Sequence, residues 1–145
     1  MIVAVFDTNV LASGLIGETR PESTPGELLR RWRVKHFTLV VSEPILTELA
    51  RTLTNPYFSQ RFSPAELTAT VARVAVEARV QALTVDVTGV ATHPEDDAIL
   101  ATALSAHARY LVTGDRHLQQ RGVYGDTRLL APRQFLELLD RHAGG

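Results

Sequence analysis

Residues 2–9 read Ile-Val-Ala-Val-Phe-Asp-Thr-Asn, an apolar run that ends directly in an aspartate. Residues 110–115 read Tyr-Leu-Val-Thr-Gly-Asp and repeat the same arrangement late in the chain. Neither run alternates apolar with polar side chains, which is typical of parallel strands that are covered on both faces. We therefore predict two buried strands of one parallel sheet, each followed at its carboxyl end by an acid.

Outward from these runs, further apolar segments alternate with patterns of helical spacing. The additional predicted strands are Phe37–Val41, Ala82–Val85 and Arg128–Leu130. Helices are predicted to begin at Thr24, Ser42, Ser63, Thr92 and Pro132, and Gly14–Ser23 is predicted to be an exposed loop. This alternation predicts an α/β fold, a three-layer α/β/α sandwich with a central, mostly parallel, Rossmann-like sheet, in a single domain over residues 1–145.

The composition excludes several classes of function. The chain has 145 residues, with 15 Lys and Arg against 16 Asp and Glu, so no overall basic charge indicates nucleic-acid binding. A polyanion would have to bind through a local patch or through metal ions. The absence of cysteine excludes disulfides, thiolate zinc sites and thiol catalysis, and fits a reducing cytoplasm. No apolar run approaches the roughly 18–20 residues of a membrane span, so we predict a cytoplasmic protein without a membrane segment.

Carboxylates follow the predicted strands. Asp7 and Asp115 end two of them, Asp96 and Asp97 lie in the first turn of a predicted helix, and Glu48 flanks the apolar stripe of another. Taken singly, such acids usually cap helices or turns. Carboxyl ends of parallel strands meet at one edge, however, and two carboxylates about 5 Å apart repel by about 3 kcal/mol at a dielectric near 20. The joint pattern therefore predicts a cation site, and hard oxygen ligands select Mg²⁺ or Mn²⁺.

The residues around these acids carry a family resemblance over nearly the whole chain. They are Asp7-Thr8-Asn9-Val10, the Ser-Glu-Pro-Ile-Leu-Thr-Glu-Leu of residues 42–49, the Asp-Asp-Ala-Ile-Leu-Ala of residues 96–101, and residues 110–115. In these motifs the chain resembles the PIN-domain family of metal-dependent ribonucleases, which includes the toxin halves of VapBC-type toxin–antitoxin pairs.

The resemblance implies an acidic quartet and two polar helpers. The quartet falls on Asp7, Glu48, Asp97 and Asp115, with Thr113 and Asn9 as residues that would fix the carboxylates by hydrogen bonds. The Ala-Ile-Leu-Ala after the paired acids favours Asp97 as the metal ligand and leaves Asp96 in a supporting position. On this assignment, Asp97→Asn should leave the metal-free fold as stable or more so, because one like charge is removed.

The implied activity is endonucleolytic hydrolysis of RNA by water activated by Mg²⁺ or Mn²⁺. Glu48 would bind a second ion or orient the attacking water. The resemblance also implies a protein antitoxin that places a basic side chain among the carboxylates, and a homodimer. An alternative that stays open is an RNA-binding adaptor domain that has lost its chemistry. An aspartyl-phosphate phosphatase is disfavoured, because it needs a second acid where Asn9 stands.

Two groups of basic residues are candidates for contact with the RNA backbone. Arg30, Arg31 and Arg33 belong to the densest basic segment, which continues to Lys35 and His36. They would contact phosphates, or would simply form the solvated face of a helix. Arg116 directly follows Asp115 and is better placed to contact substrate near a metal.

Overall fold

At the centre of the sheet, β1 (Val3–Phe6) pairs with β2 (Thr38–Val41) on one side and with the strand Tyr110–Val112 on the other, so the two strands that the sequence predicts most clearly lie side by side. The computed structural model describes residues 1–91 and 93–143. Within them, the remaining strands are β3 (Arg79–Val80), β4 (Tyr110–Val112), β5 (Val123–Tyr124) and β6 (Thr127–Leu130). The sheet order is β3-β2-β1-β4-β6-β5, and every pair is parallel except β5 with β6.

Helices cover both faces of this sheet. Successive side chains of a strand point to opposite faces, yet Ala4, Val5 and Phe6 are all at most 1% exposed. The described residues form α1 (Thr8–Gly17), α2 (Thr24–Arg33), α3 (Glu43–Leu53), α4 (Pro56–Ser59), α5 (Pro64–Glu77), α6 (Pro94–Ser105), α7 (Arg116–Arg121) and α8 (Pro132–Ala143). The predicted three-layer α/β/α sandwich is therefore confirmed. No helix within this part of the chain has the length and apolarity needed to cross a membrane.

An aromatic cluster marks the core beneath the first strand. Phe6, Phe37 and Phe135 are each at most 2% exposed, and their ring centroids lie 5.1–5.9 Å apart. Two of the three ring pairs meet edge to face, a favourable geometry for aromatic rings. This packing fixes α8 against β1 and so supports the strand that ends at Asp7.

One predicted strand is wrong. Ala82–Val85 lies beyond the sheet, and the strand is β3, which pairs with β2 through Val40 opposite Arg79. The apolar side chains that prompted the prediction are largely solvent-exposed, with Leu83 at 41% and Val85 at 40%. The antiparallel strand β5 was not predicted at all, because two residues carry no periodic signal.

The predicted exposed loop at Gly14–Ser23 is wrong over its first four residues, which belong to α1. Gly14 and Gly17 are buried where α1 meets α2. A Cβ atom on Gly26 would lie 2.1 Å from the carbonyl oxygen of Gly17, and one on Gly14 would lie 2.4 Å from the Leu29 side chain. The glycines therefore permit close helix packing here and do not form a loop.

Most predicted helix starts are correct to within one residue. Ser63 forms the predicted capping box with Glu66, and α8 begins at Pro132. The cap of α2 is Ser23 rather than Thr24, since the Ser23 hydroxyl accepts from the N–H of Gly26. Ser42 occupies the cap position of α3, but its hydroxyl bonds that of Thr102 at 2.7 Å. Thr92, the predicted start of α6, lies outside the described residues.

The strand order places the candidate site. The chain moves outward from β1 through β2 to β3, then crosses back to β4 on the other side of β1. The order therefore reverses between β1 and β4, and in open α/β sheets ligands bind outside the carboxyl ends of the strands at such a point. Asp7 follows β1 and Asp115 lies just beyond β4, so both acids stand at this crevice.

Candidate active site

Asp7 is a buried carboxylate held in place from two sides. It is 7% exposed, its Oδ1 accepts the N–H of Asn9 at 2.9 Å, and its Oδ2 accepts the Thr113 hydroxyl at 2.8 Å. Burial raises the pKa of Asp7, and the charge of Asp115 adds to the rise, while the two hydrogen bonds oppose it. Asp7 thus caps α1 and also presents an oxygen-rich group at the crevice.

Thr113 joins the ends of the two central strands. Its hydroxyl, fully buried, donates to Asp7 and accepts the N–H of Asp115 at 3.0 Å. The Asp115 carboxylate in turn caps α7 by accepting the N–H groups of His117 and Leu118 at 2.7 and 3.2 Å. One side chain therefore sets the spacing between Asp7 and the backbone that carries Asp115.

Three aspartates line one cavity of about 470 Å³ at this crevice, which we call the carboxylate cavity. They are Asp7, Asp96 and Asp115, with Asn9 and His93 also in the wall. Burial raises the pKa of Asp96 to about 6, helped by the charges of Asp7, Glu95 and Asp115 and opposed by that of His93. The three carboxylates are therefore close enough for their charges to interact.

Asp97 does not belong to this set, which corrects the assignment made from sequence. It is 7% exposed, and its carboxylate accepts the backbone N–H groups of Gly89, Val90 and Ala91 at 2.9, 3.1 and 2.7 Å. Adjacent residues on a helix point about 100° apart, and here Asp96 lines the cavity while the Asp97 carboxylate is bonded to the preceding loop. Asp97 instead holds the loop that precedes α6, and Asp96 takes the position beside Asp7 and Asp115.

Glu48 does not line the carboxylate cavity with the three aspartates. Its Oε2 accepts Nη1 of Arg51 at 3.0 Å, and its side chain is 28% exposed. It lines a second cavity beside the first, where Ile45 and Ile99 form the buried wall. The predicted role of Glu48, to bind a second ion or to orient the attacking water, stays a prediction.

The arginines of α2 form ion pairs within the protein, so the structure does not support their predicted contact with RNA. Each pairs with at least one carboxylate. Arg30 and Arg31 bind Glu27 at 2.8 and 2.9 Å, Arg31 binds Asp140 at 2.6 Å, and Arg33 binds Glu18 and Glu77 at 3.0 and 2.6 Å. Arg116, by contrast, is exposed at the start of α7, and its contact with RNA stays a prediction.

We expect Arg31→Ala to lower the free energy of unfolding by about 1 kcal/mol, because a half-buried guanidinium that joins α2 to α8 is lost. RNA affinity should not change. Arg116→Ala is the matched control and should weaken RNA binding with no loss of stability. Thermal unfolding and a filter-binding titration measure both quantities. A large loss of RNA affinity in Arg31→Ala would restore the predicted backbone contact.

Sequence reasoning missed several residues of the cavity wall. Ser13, Gly114 and Pro132 line it together with His93. Ser13 was within reach, since it lies one helical turn after Asn9 and on the same face. His93 precedes Asp96 by three residues, at the cap position of α6, and no sequence pattern marks it as a residue of the cavity wall.

The donor set fits a hydrated Mg²⁺ or Mn²⁺ better than a closed metal cage. Within residues 1–91 and 93–143, no three Asp, Glu or His groups are close enough together to hold one ion. Mg²⁺ commonly keeps several waters and binds through one or two carboxylates plus substrate phosphate, so it does not require such a cage. Burial and the neighbouring charges raise the pKa of Asp96 and so disfavour its ionised form, which a bound cation would favour.

Comparison with known proteins agrees with this fold. The family model described as PIN domain matches residues 3–117. Among solved structures, the VapC20 toxin of Mycobacterium tuberculosis, described as cleaving the sarcin–ricin loop, shares the fold with a TM-score of 0.55. That match has 17% sequence identity and covers 86% of this chain and 98% of the toxin. A search of curated proteins found no significant match.

Proposed function

The chain belongs to the PIN domain family, and from this we propose that it is a divalent-metal-dependent endoribonuclease, the toxin half of a toxin–antitoxin pair. The observation that carries the proposal is the meeting of Asp7, Asp96 and Asp115 in one cavity where the strand order reverses. Such an acidic cavity repels RNA phosphate unless a cation is present. The proposed substrate class is therefore RNA together with Mg²⁺ or Mn²⁺.

Each residue has a definite part in this proposal. A divalent ion supplies Lewis acidity toward the phosphodiester and favours deprotonation of the attacking water. Asp7, Asp96 and Asp115 would hold it, directly or through waters. Thr113 fixes the Asp7 carboxylate through its hydroxyl, and the N–H of Asn9 fixes the other oxygen. These hydrogen bonds orient the oxygens before the ion and substrate arrive.

The proposed partners follow from the same charge. A protein antitoxin that inhibits the site would place an arginine or lysine among the three carboxylates, since a cationic side chain relieves the same repulsion as a metal ion. The homodimer and the cytoplasmic location remain predictions from the sequence.

Removal of metal should stop cleavage. We expect total RNA to be cut by the wild-type protein in Mn²⁺ or Mg²⁺ and to stay intact in EDTA, because the carboxylates alone repel phosphate. Sequencing of the new RNA ends measures cleavage, and Asp115→Asn prepared in parallel controls for contaminating nucleases. Cleavage that continues in EDTA, or RNA binding without any cleavage in Mn²⁺, would contradict the proposal. The second result would favour an adaptor domain.

Loss of the Thr113 hydroxyl should slow cleavage by about 10- to 100-fold, the usual cost of removing a group that orients a metal ligand. Thr113→Val keeps the shape of the side chain but removes the donor to Asp7. Thr113→Ser keeps the donor and should recover most of the rate. Single-turnover kinetics at saturating Mn²⁺ separate this effect from weak metal binding. Equal rates for the valine and serine variants would show that the hydroxyl has no such role.

A further inference from the structure

A second cavity of about 440 Å³ adjoins the carboxylate cavity, and we call it the isoleucine cavity after Ile45 and Ile99. The two cavities share their chain segments. Asp7 and Asn9 line the first and Thr8 lines the second, while Asp96 lines the first and Glu95 the second. A nucleotide strand with one phosphate at the carboxylates would therefore have a neighbouring base within reach of the isoleucine cavity.

The walls of the isoleucine cavity suit a flat apolar surface. Ile45 and Ile99 are 1% and 3% exposed, and Pro44 and Ala98 complete the apolar lining. Its volume falls in the range of about 300–1,000 Å³ that is usual for small-molecule sites. Enzymes that bind an unstacked base commonly hold its faces between aromatic or apolar side chains.

The charged residues that line the isoleucine cavity determine which chemical groups can bind there. Glu43, Glu48 and Glu95 stand around the cavity against one arginine, Arg51, which pairs with Glu48. Ionised carboxylates only accept hydrogen bonds, so a phosphate is excluded and a group with N–H donors is favoured. Guanine is the RNA base with two adjacent donors, N1–H and the N2 amino group, on its Watson–Crick edge. The other bases place a ring nitrogen or carbonyl acceptor beside their donor.

A buried hydroxyl provides the complementary donor. Thr8 is 5% exposed, and its Oγ1 has no hydrogen-bond partner among the described residues. A buried hydroxyl without a partner is costly, and an acceptor arriving in the cavity would relieve that cost. Guanine carries such an acceptor, O6, next to N1–H.

We propose that the isoleucine cavity binds a guanine base adjacent to the cleaved phosphate and so sets the sequence preference of cleavage. The inference rests on the proposed ribonuclease function for its biological meaning, but the binding itself needs no catalysis. Glu43 and Glu95 accept from the Watson–Crick edge, Ile45 and Ile99 contact the faces, and Thr8 donates to O6.

Methyl NMR of the isoleucine-labelled, metal-free protein tests the binding directly. The chain has four isoleucines, of which two line the cavity and two, Ile2 and Ile16, serve as internal references. Guanosine should shift the signals of Ile45 and Ile99 alone, and inosine, which lacks the N2 amino group, should bind at least about tenfold more weakly. Equal shifts with adenosine, or shifts with arginine amide and none with guanosine, would overturn the proposal.

The sequence preference of RNA cleavage provides a second test of the proposal. RNA ends produced by wild type in Mn²⁺ should show guanine at one fixed position beside the cut, and the doubly substituted Glu43→Gln, Glu95→Gln protein should lose that preference. Glu137→Gln, an exposed change on α8, is the matched control and should keep it. Ala98→Leu, which fills the cavity, should act like the double variant. Cleavage without guanine preference refutes the base site and leaves the nuclease standing, whereas absence of cleavage refutes the nuclease and leaves the NMR result to decide the base site.

Discussion

Asp96→Asn should reduce RNA cleavage by about 10²- to 10³-fold while leaving the metal-free protein at least as stable as the wild type. The loss of rate follows because a ligand that helps to hold the ion is removed, and metal contributions to such reactions amount to several kcal/mol. The gain in stability follows because the charged form of Asp96 is disfavoured by burial and by the charges of Asp7, Glu95 and Asp115. Since Asp96 is only partly buried, solvent screening limits that gain to about 1 kcal/mol.

The raised pKa of Asp96 determines the direction in which the stability of the protein changes with pH. The pKa of Asp96 is raised from 3.8 to about 6 in the folded protein, so the folded state holds the proton more tightly than the unfolded state. This contribution therefore makes the wild type lose stability as pH rises from about 4 to about 6, and Asp96→Asn should lose less, since of these two raised acids only Asp7 remains. Thermal unfolding in EDTA at pH 4 and pH 7 measures the difference. An Asp96→Asn protein that cleaves RNA at the wild-type rate, or that melts lower at pH 7, would contradict the assignment.

Asp97→Asn should have the opposite effect and lower the free energy of unfolding by about 2 to 3 kcal/mol. The carboxylate accepts three backbone N–H groups, and hydrogen bonds to a charged acceptor are among the stronger ones in proteins. An asparagine amide keeps only one accepting oxygen, so its NH₂ group would face a backbone N–H of the loop. The melting temperature should fall by about 5 to 10 °C.

The neighbouring Asp96→Asn serves as the matched control for this change, since the two variants alter the same residue type one position apart. Folded Asp97→Asn, assayed well below its melting temperature, should still gain stability from Mn²⁺, whereas Asp96→Asn should gain little. An Asp97→Asn protein with wild-type stability and no metal response would restore the ligand role that the sequence motif first suggested.

The fold could be predicted where long-range topology follows from local pattern. The two apolar runs before Asp7 and Asp115 indicated the central strands, and the rule for parallel sheets brought their carboxyl ends together. The same reasoning failed for α1, because glycines that permit close packing look in sequence like glycines that form loops. It failed for β3 because exposed valines and leucines carry the same composition as a buried strand.

The site was only partly within reach of the sequence. Which member of an adjacent acidic pair faces the cavity depends on the rotation of α6 and on a loop that supplies three N–H groups to Asp97. Neither is encoded in the pair itself. The arginines of α2 show a similar limit, since Asp140 contacts Arg31 from 109 positions away in the chain. A basic segment predicts charge, but only the fold shows whether that charge is already paired.

Mn²⁺ binding, measured by electron paramagnetic resonance on wild type, Asp96→Asn and Asp97→Asn at a temperature where all three are folded, tests the central assignment most directly. We predict that the wild type and Asp97→Asn bind the ion with similar affinity and that Asp96→Asn binds it at least about tenfold more weakly. The reverse order, with Asp96→Asn equal to the wild type and Asp97→Asn impaired, would contradict the account.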